Sequence, residues 1–229
     1  MICFLCAMEG EAAPVLQKSQ IEKEEKVGFA RLYSCVYQGH PFFLAICGIG
    51  KVLSASGLSG IITAHPEITG YINLGIGGSL DPKRANLLSA VVGMEFVQHD
   101  MDTSPFGDPR GFLNGLGIVK IPAEKQIALD LVEACKNSGL SVYEGVIVSG
   151  DTFVTDEEKK QGFVTEFDAI SVDMEAAAYA EVAYVYQKPF AALRIISDAV
   201  DHHNEYVKYK PRACEIGSEV ALNFLSIHL

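Results

Sequence analysis

Gly70-Tyr71-Ile72-Asn73-Leu74-Gly75-Ile76-Gly77-Gly78-Ser79 joins a short apolar run to a cluster of glycines. Residues 70–74 read as a buried strand that runs straight into that cluster. Just before it, residues 52–65 carry small and apolar residues at helical spacing. A helix that feeds a short buried strand is the repeating unit of an α/β sheet, and the same alternation continues in both directions. Residues 2–7 read as a buried strand. Residues 27–37 and 42–47 read as two more, joined at Gln38-Gly39-His40-Pro41. Downstream, residues 87–97 are strand-like and 116–121 allow a further strand. Residues 126–138 form an amphipathic helix that stops before Gly139. Strands are predicted over 142–148, 169–172 and 190–196, with a helix starting near Asp173 and a last helix over 211–228. The polar stretch 155–160 reads as a solvated helix start or loop. This order predicts a three-layer αβα fold around a central, mostly parallel (mixed) sheet covered on both faces. No repeat, low-complexity tract or linker interrupts residues 1–229, so one domain is expected.

Composition agrees with such a core. At 229 residues and 49% hydrophobic content, a chain buries roughly 70% of its unfolded surface. The formal net charge of -11 argues against wrapping nucleic acid or lying on an anionic membrane. It does not exclude a small ligand without phosphates. The six cysteines (Cys3, Cys6, Cys35, Cys47, Cys135 and Cys214) lie mostly within apolar runs. They read as reduced, buried thiols. Cys3 and Cys6 have formal C-x-x-C spacing, but residues three apart in a strand face opposite sides. The apolar start is short, lacks a basic lead and is followed at once by Glu9 and Glu11. Neither a signal peptide nor a membrane span is expected, and the cytoplasm is the expected location.

In open α/β sheets, ligands collect outside the carboxyl ends of the strands. The polar residues just past each predicted strand are therefore the candidates. They are Glu9 and Glu11; Gly75-Ile76-Gly77-Gly78-Ser79; Ser149-Gly150-Asp151-Thr152-Phe153; Asp173-Met174-Glu175; and Ser197-Asp198. Carboxylates recur at one rim. Each has a structural alternative: Glu9 or Glu11 as a cap of the first helix, Asp173 as an N-cap, Ser197-Asp198 as a cap or turn. The glycines suit either a tight turn near a ligand or close packing. They match neither the G-x-G-x-x-G nor the Walker spacing, and no G-x-S-x-G elbow is present. His202 and His203 are adjacent and cannot share one face. His99-Asp100 with Asp102 is the best metal-like grouping, and reads as a solvated loop. No metal and no cofactor are expected.

Six segments occur together: Ala7-Met8-Glu9-Gly10-Glu11, Cys47-Gly48-Ile49-Gly50-Lys51-Val52, Asn73-Leu74-Gly75-Ile76-Gly77-Gly78, Ser149-Gly150-Asp151-Thr152-Phe153, Val172-Asp173-Met174-Glu175-Ala176 and Arg194-Ile195-Ile196-Ser197-Asp198. In this order they resemble the 5′-methylthioadenosine/S-adenosylhomocysteine nucleosidases of the purine nucleoside phosphorylase superfamily, over nearly the whole chain. The resemblance implies hydrolysis of the N-glycosidic bond of an adenine nucleoside. It implies Asp198 as the acid that protonates purine N7 and Glu11 as the base that activates water. It further implies Glu175 as acceptor of ribose hydroxyls and Met174 against the sugar. Phe153 would stack on the base while the backbone of Val154 reads the adenine edge. Ile49 and Phe106 would lie around the 5′ substituent, Ser197 would hold the Asp198 loop, and Gly78 would face the substrate. Phe106 would come from a neighbouring subunit, which implies a homodimer.

The related phosphorylases bind phosphate through a Gly-Asp-Pro-type loop after the first strand, plus arginines. Ala7-Met8-Glu9 stands there instead, and Gly107-Asp108-Pro109-Arg110 sits mid-chain. Hydrolysis is therefore favoured, although Arg194 remains available for an anion. The sequence also departs from the family pattern. Asp173 replaces a usual Glu, Ile76 a usual Ser, and Ala85-Asn86 a usual Gly-Asp. Residues 202–210 match poorly, leaving Tyr206 and Tyr209 as candidates to close over the substrate tail. The alternatives are a nucleosidase for futalosine or aminodeoxyfutalosine, a phosphorylase, and a nucleoside-binding protein without turnover.

Overall fold

The computed structural model describes residues 1–200 and 202–227. The elements follow in the order β1 (Ile2–Cys6), α1 (Glu9–Lys18), β2 (Gln20–Val27), β3 (Ala30–Tyr37), β4 (His40–Ile46), α2 (Lys51–Ala64), β5 (Gly70–Ser79), β6 (Ala90–Gln98), β7 (Ile121–Pro122), α3 (Lys125–Asn137), β8 (Val142–Ser149), α4 (Glu157–Phe167), β9 (Ala169–Asp173), α5 (Ala176–Val185), β10 (Phe190–Asp198) and α6 (His202–Ile227). A short 3₁₀ turn covers Ser104–Phe106.

All the described strands join one mixed sheet. β1 lies parallel to both β4 and β5, and the antiparallel β2-β3-β4 meander extends that edge. On the other side the sheet closes on itself. β5 pairs with β10, β10 with β6, β6 with β8, β8 with β9, and β9 returns antiparallel to β5. Antiparallel pairing is more frequent than the helix–strand alternation implied, because the meander, β7 and the ring closure all contribute it.

Helices cover both faces. Phe4, Cys6, Leu44 and Leu193 point into one core beneath α1, α3 and α6. Their strand neighbours Cys3, Leu5, Ala45 and Ala192 point into the other, beneath α2 and α5. This period-2 division builds the three layers. It also places the Cys3 and Cys6 thiols on opposite faces, and all six cysteines are buried and unpaired.

Several boundaries differ from the sequence reading. Residues 27–37 are not one strand: Gly28, at φ 61°, turns the chain between β2 and β3. β2 went unread because Gln-Ile-Glu-Lys-Glu-Glu-Lys-Val is a charged, solvent-facing edge strand without an apolar face. β5 does not stop at Leu74 but carries on through the glycines to Ser79. The 116–121 strand reduces to the two-residue β7 and an isolated Leu113–Ile118 bridge. Within 155–160 the Asp156 carboxylate accepts from Lys159 N at 2.9 Å and caps α4. The last helix begins at His202, with Pro211 inside it. Its predicted end at His228 lies outside the described residues.

Candidate active site

Three strand ends meet around the glycine half of β5. β1 and β10 run parallel on either side of it, and β9 crosses its end with Val172 opposite Gly78. None of Gly75, Gly77 and Gly78 has a positive φ, so no turn requires them. Close approach does. A Cβ at Gly75 would lie 3.0 Å from Glu11 Oε1, and one at Gly78 would lie 3.1 Å from Asp198 Oδ2. The bare strand lets two acidic side chains from opposite ends of the chain reach the same cleft.

Glu11 sits in the first turn of α1. Its Oε2 accepts from Ala7 N and Met8 N, both at 2.9 Å, and its Oε1 from Ile76 N at 3.3 Å. Glu11 thus caps the first helix as the structural alternative expected, and the same side chain lines the cleft. Glu9 instead turns outward and pairs with Arg31. Burial raises the Glu11 carboxyl, against the lowering influence of Arg194 and the three N–H donors.

Asp173 and Glu175 leave the end of β9 together but do different things. Asp173 Oδ2 lies 2.5 Å from Arg194 Nη2, with both side chains buried. Asp173 Oδ1 takes the Ser149 hydroxyl and the Glu175 N–H at 3.2 Å, and Ala176 N donates at 3.3 Å. It serves the start of α5, which begins at Ala176 rather than near Asp173. Arg194 is further held by the Asn73 side chain and by Leu193 O at 2.9 Å. Among the described residues, only its Nε lacks a partner, and the side chain is 1% exposed, so the anion role that the sequence left open to Arg194 has little of the guanidinium to work with. Glu175 has a lighter set of partners. Its Oε1 accepts from Gly50 N at 2.9 Å. Burial, reinforced by Asp173, holds its carboxyl well above the usual range.

Asp198 ends β10. The Ser197 hydroxyl donates to its Oδ1 at 2.8 Å, and His202 Nδ1 is 3.4 Å from its Oδ2. Burial raises this carboxyl, while Ser197, Lys160 and His202 oppose the shift. An aspartic acid whose pKa is raised is a better-matched proton donor to a basic heteroatom than an ordinary one.

The cleft brings together Glu11, Ile49, Gly78, Phe153, Met174, Glu175, Ser197 and Asp198. Val154 and Phe106 are not in its wall. The Val154 side chain is buried in a separate core with Phe163 and Phe167. Phe106 is 88% exposed on the outer loop. Of the two tail candidates Tyr206 lines the cleft, its ring 5.4 Å from that of Phe153 in an edge contact. Tyr209 does not line it. Met8, Ile76 and Val172 complete the apolar wall, a role the sequence reading assigned to none of them. Met8 sits inside a recognised segment, but only its fold position gives it a role.

The remaining motifs are engaged elsewhere. Asp100 pairs with Lys51 at 2.6 Å, and the His99 ring packs on Phe163. Asp108 takes the Thr103 hydroxyl, and Arg110 pairs with Glu166 at 2.9 Å.

Comparison with known proteins agrees with this geometry. Residues 1–226 match the model of the phosphorylase superfamily. A 5′-methylthioadenosine/S-adenosylhomocysteine nucleosidase of Glaesserella parasuis is 30% identical, over 98% of each chain. An aminodeoxyfutalosine nucleosidase of Helicobacter pylori is 34% identical, over 87% of this chain and 86% of its own. The Neisseria meningitidis 5′-methylthioadenosine/S-adenosylhomocysteine nucleosidase in complex with methylthio-immucillin-A superposes with a TM-score of 0.91 at 26% identity, covering 99% of this chain and 98% of that one. A mixed sheet with a carboxylate-lined cleft at its strand ends thus defines a nucleosidase-type hydrolase of small molecules. The chain belongs to the phosphorylase superfamily and, within it, to the 5′-methylthioadenosine/S-adenosylhomocysteine nucleosidase family.

Proposed function

We propose that the chain hydrolyses 5′-methylthioadenosine, S-adenosylhomocysteine or both, releasing adenine. One observation carries the reading. Three buried carboxylates, Glu11, Glu175 and Asp198, converge on a cleft whose described wall holds no lysine or arginine. A phosphate nucleophile needs cationic or N–H donors, whereas an oxocarbenium-like transition state is stabilised by carboxylates. Asp198 gives its proton to N7, and the C–N electron pair leaves with the base. Glu11 takes a proton from the attacking water. Glu175 accepts the ribose hydroxyls, with Met174 against the sugar, and Phe153 stacks on adenine beside the Val154 backbone. Ser197 holds Asp198, and Gly78 leaves space beside it. Ile49 and Tyr206 enclose the 5′ substituent, joined by Phe106 of a second copy in a homodimer. Residues 1–229 act as one domain, and six unpaired thiols favour the cytoplasm.

Lys210 favours a second substrate. Its Nζ lies 3.4 Å from Met8 Sδ and 5.2 Å from the Tyr206 ring centre. A cation behind the tail wall suits a carboxylate-bearing 5′ group such as that of S-adenosylhomocysteine. The H. pylori relative adds aminodeoxyfutalosine to the panel. In phosphate-free buffer we expect adenine release from at least one of these three nucleosides, unchanged by added phosphate. No release from any of them overturns the reading. Release that requires phosphate assigns a phosphorylase.

A further inference from the structure

Asp198 has a polar cluster behind it that the proposed chemistry does not use. His202 opens α6, four residues on, and is only 7% exposed. Its Nδ1 is 3.4 Å from Asp198 Oδ2, and its Nε2 is 2.8 Å from Glu157 Oε1. Glu157 is the first residue of α4, and its side chain is 75% exposed. Lys160, one turn further along α4, is 2% exposed. Its Nζ lies 3.0 Å from each ring nitrogen of His202 and 3.5 Å from Ala199 O. Glu205, on the same helix as His202, accepts from Ala199 N at 2.7 Å and Val200 N at 3.0 Å. Among the described residues, the charged groups around the imidazole are Asp198 from β10, Glu157 and Lys160 from α4, and Glu205 from α6. His203 points outward and is exposed.

Proton balance gives this line of groups a purpose, given the assignment of Asp198 as the acid. Each turnover breaks the Asp198 O–H bond and forms N7–H. The water that attacks the sugar leaves its proton on Glu11. Asp198 ends one proton short and Glu11 one proton rich, and Glu11 can discharge into the open cleft. A route from solvent to Asp198 already lies along α4 and α6.

We propose that His202 is the positioning residue and proton carrier that reloads Asp198, drawing on solvent at Glu157 while Lys160 fixes the imidazole. Nε2 first takes a proton delivered at Glu157, which makes the ring an imidazolium. The His202 Nδ1–H bond then breaks as the Asp198 Oδ2–H bond forms, and the neutral Nε2–H ring returns to the Nδ1–H tautomer by exchange with solvent. Burial pushes the Lys160 ammonium down, against the raising influence of Glu157 and Asp198.

The test compares wild type, His202→Asn, Glu157→Gln and Asp198→Asn for kcat and KM between pH 5.5 and 8.5, with and without imidazole. Asparagine can keep the contact to Asp198 Oδ2 but cannot carry a proton. For His202→Asn we expect kcat to fall about tenfold or more at pH 8 and less at low pH. KM should stay within about twofold, and imidazole should restore kcat in proportion to its concentration. Glu157→Gln alters an exposed group and guards against misfolding of the first variant. It should lose rate in dilute buffer and regain it in concentrated buffer. Wild-type kcat in both variants at every pH overturns the proposal. So does a loss that imidazole does not touch and that tracks a lowered Tm, since that marks a purely structural role. Full activity in Asp198→Asn overturns the acid assignment itself, whereas a dead Asp198→Asn beside an unaffected His202→Asn removes only the carrier.

Discussion

Asp173 and Glu175 stand two positions apart, and Arg194 separates their fates. The guanidinium is spent on Asp173, with Ser149 and two backbone N–H groups adding to its support. Burial, reinforced by the neighbouring Asp173 and opposed by Arg194 and one N–H donor, raises the Glu175 carboxyl from 4.5 to about 8. A glutamate held above its unfolded value takes up a proton on folding. The stability it contributes is fully present below about pH 4.5 and is lost as pH rises through about 8. Burial raises Glu11 and Asp198 too, so their contributions have the same sign. Glu175→Gln removes the contribution of this residue. Its Tm should match wild type near pH 5 and exceed it by several degrees at pH 8, an effect on the order of a few kcal/mol. Turnover should fall about ten- to hundredfold, the value of one or two charge-assisted hydrogen bonds to ribose. Parallel Tm curves for the two proteins across that range would show that Glu175 is ionised at no cost.

At the scale of the element, β5 decides whether the acidic residues can meet. Gly77 is the tightest position of the glycine cluster that ends the strand: an added Cβ would lie 2.9 Å from Ser171 Oγ and 3.1 Å from Val172 O. The second of these atoms is backbone, so β9 itself would have to move. Gly77→Ala should cost about 1–3 kcal/mol and lower kcat by displacing Met174 and Glu175, which follow β9. Gly115→Ala, with nothing within 4 Å, is the control and should stay within about 0.5 kcal/mol. Differential scanning calorimetry and a single-substrate assay check both. The glycines also mark how far the sequence could be read. Apolar runs exposed β1, β4, β8, β9 and β10, and the polar residues just past them gave Glu11, Glu175 and Asp198. Gly75-Ile76-Gly77-Gly78 looked like a loop because strand signals rest on side chains, and here the side chains belong to other elements. β2 was silent for the opposite reason, since its side chains face water. The first turns of α6 were hidden by Pro211, which reads as a helix start. Tyr206 was therefore a guess, and His202 carried no signal beyond its neighbour. Lys160 looked solvated because its burial depends on α6 folding back over α4.

At the scale of the whole molecule, the cleft is open beside Ile49, where the proposed 5′ substituent would lie. Ile49 is half-exposed there, and next to it α2 and α5 present Val52, Val185 and Tyr186 along one open groove. Apolar residues rimmed by Lys51, Asp151 and Glu181 suit a second copy of the chain better than open water. Such a partner, seated on α2 and α5, would bring its own exposed Phe106 towards Ile49. Phe106→Ala should therefore raise KM for a methylthio nucleoside about tenfold, the value of one buried aromatic contact, without lowering Tm. Val52→Asp should shift sedimentation to the monomer and cause the same loss. Mixing separates action in trans from action in cis. A Phe106→Ala chain keeps Asp198, and an Asp198→Asn chain keeps Phe106, so one site of the mixed dimer holds both. Activity of the mixture above the sum of the two parents is the expected result. A mixture that equals the sum, from chains shown to exchange subunits, places Phe106 outside its neighbour's cleft.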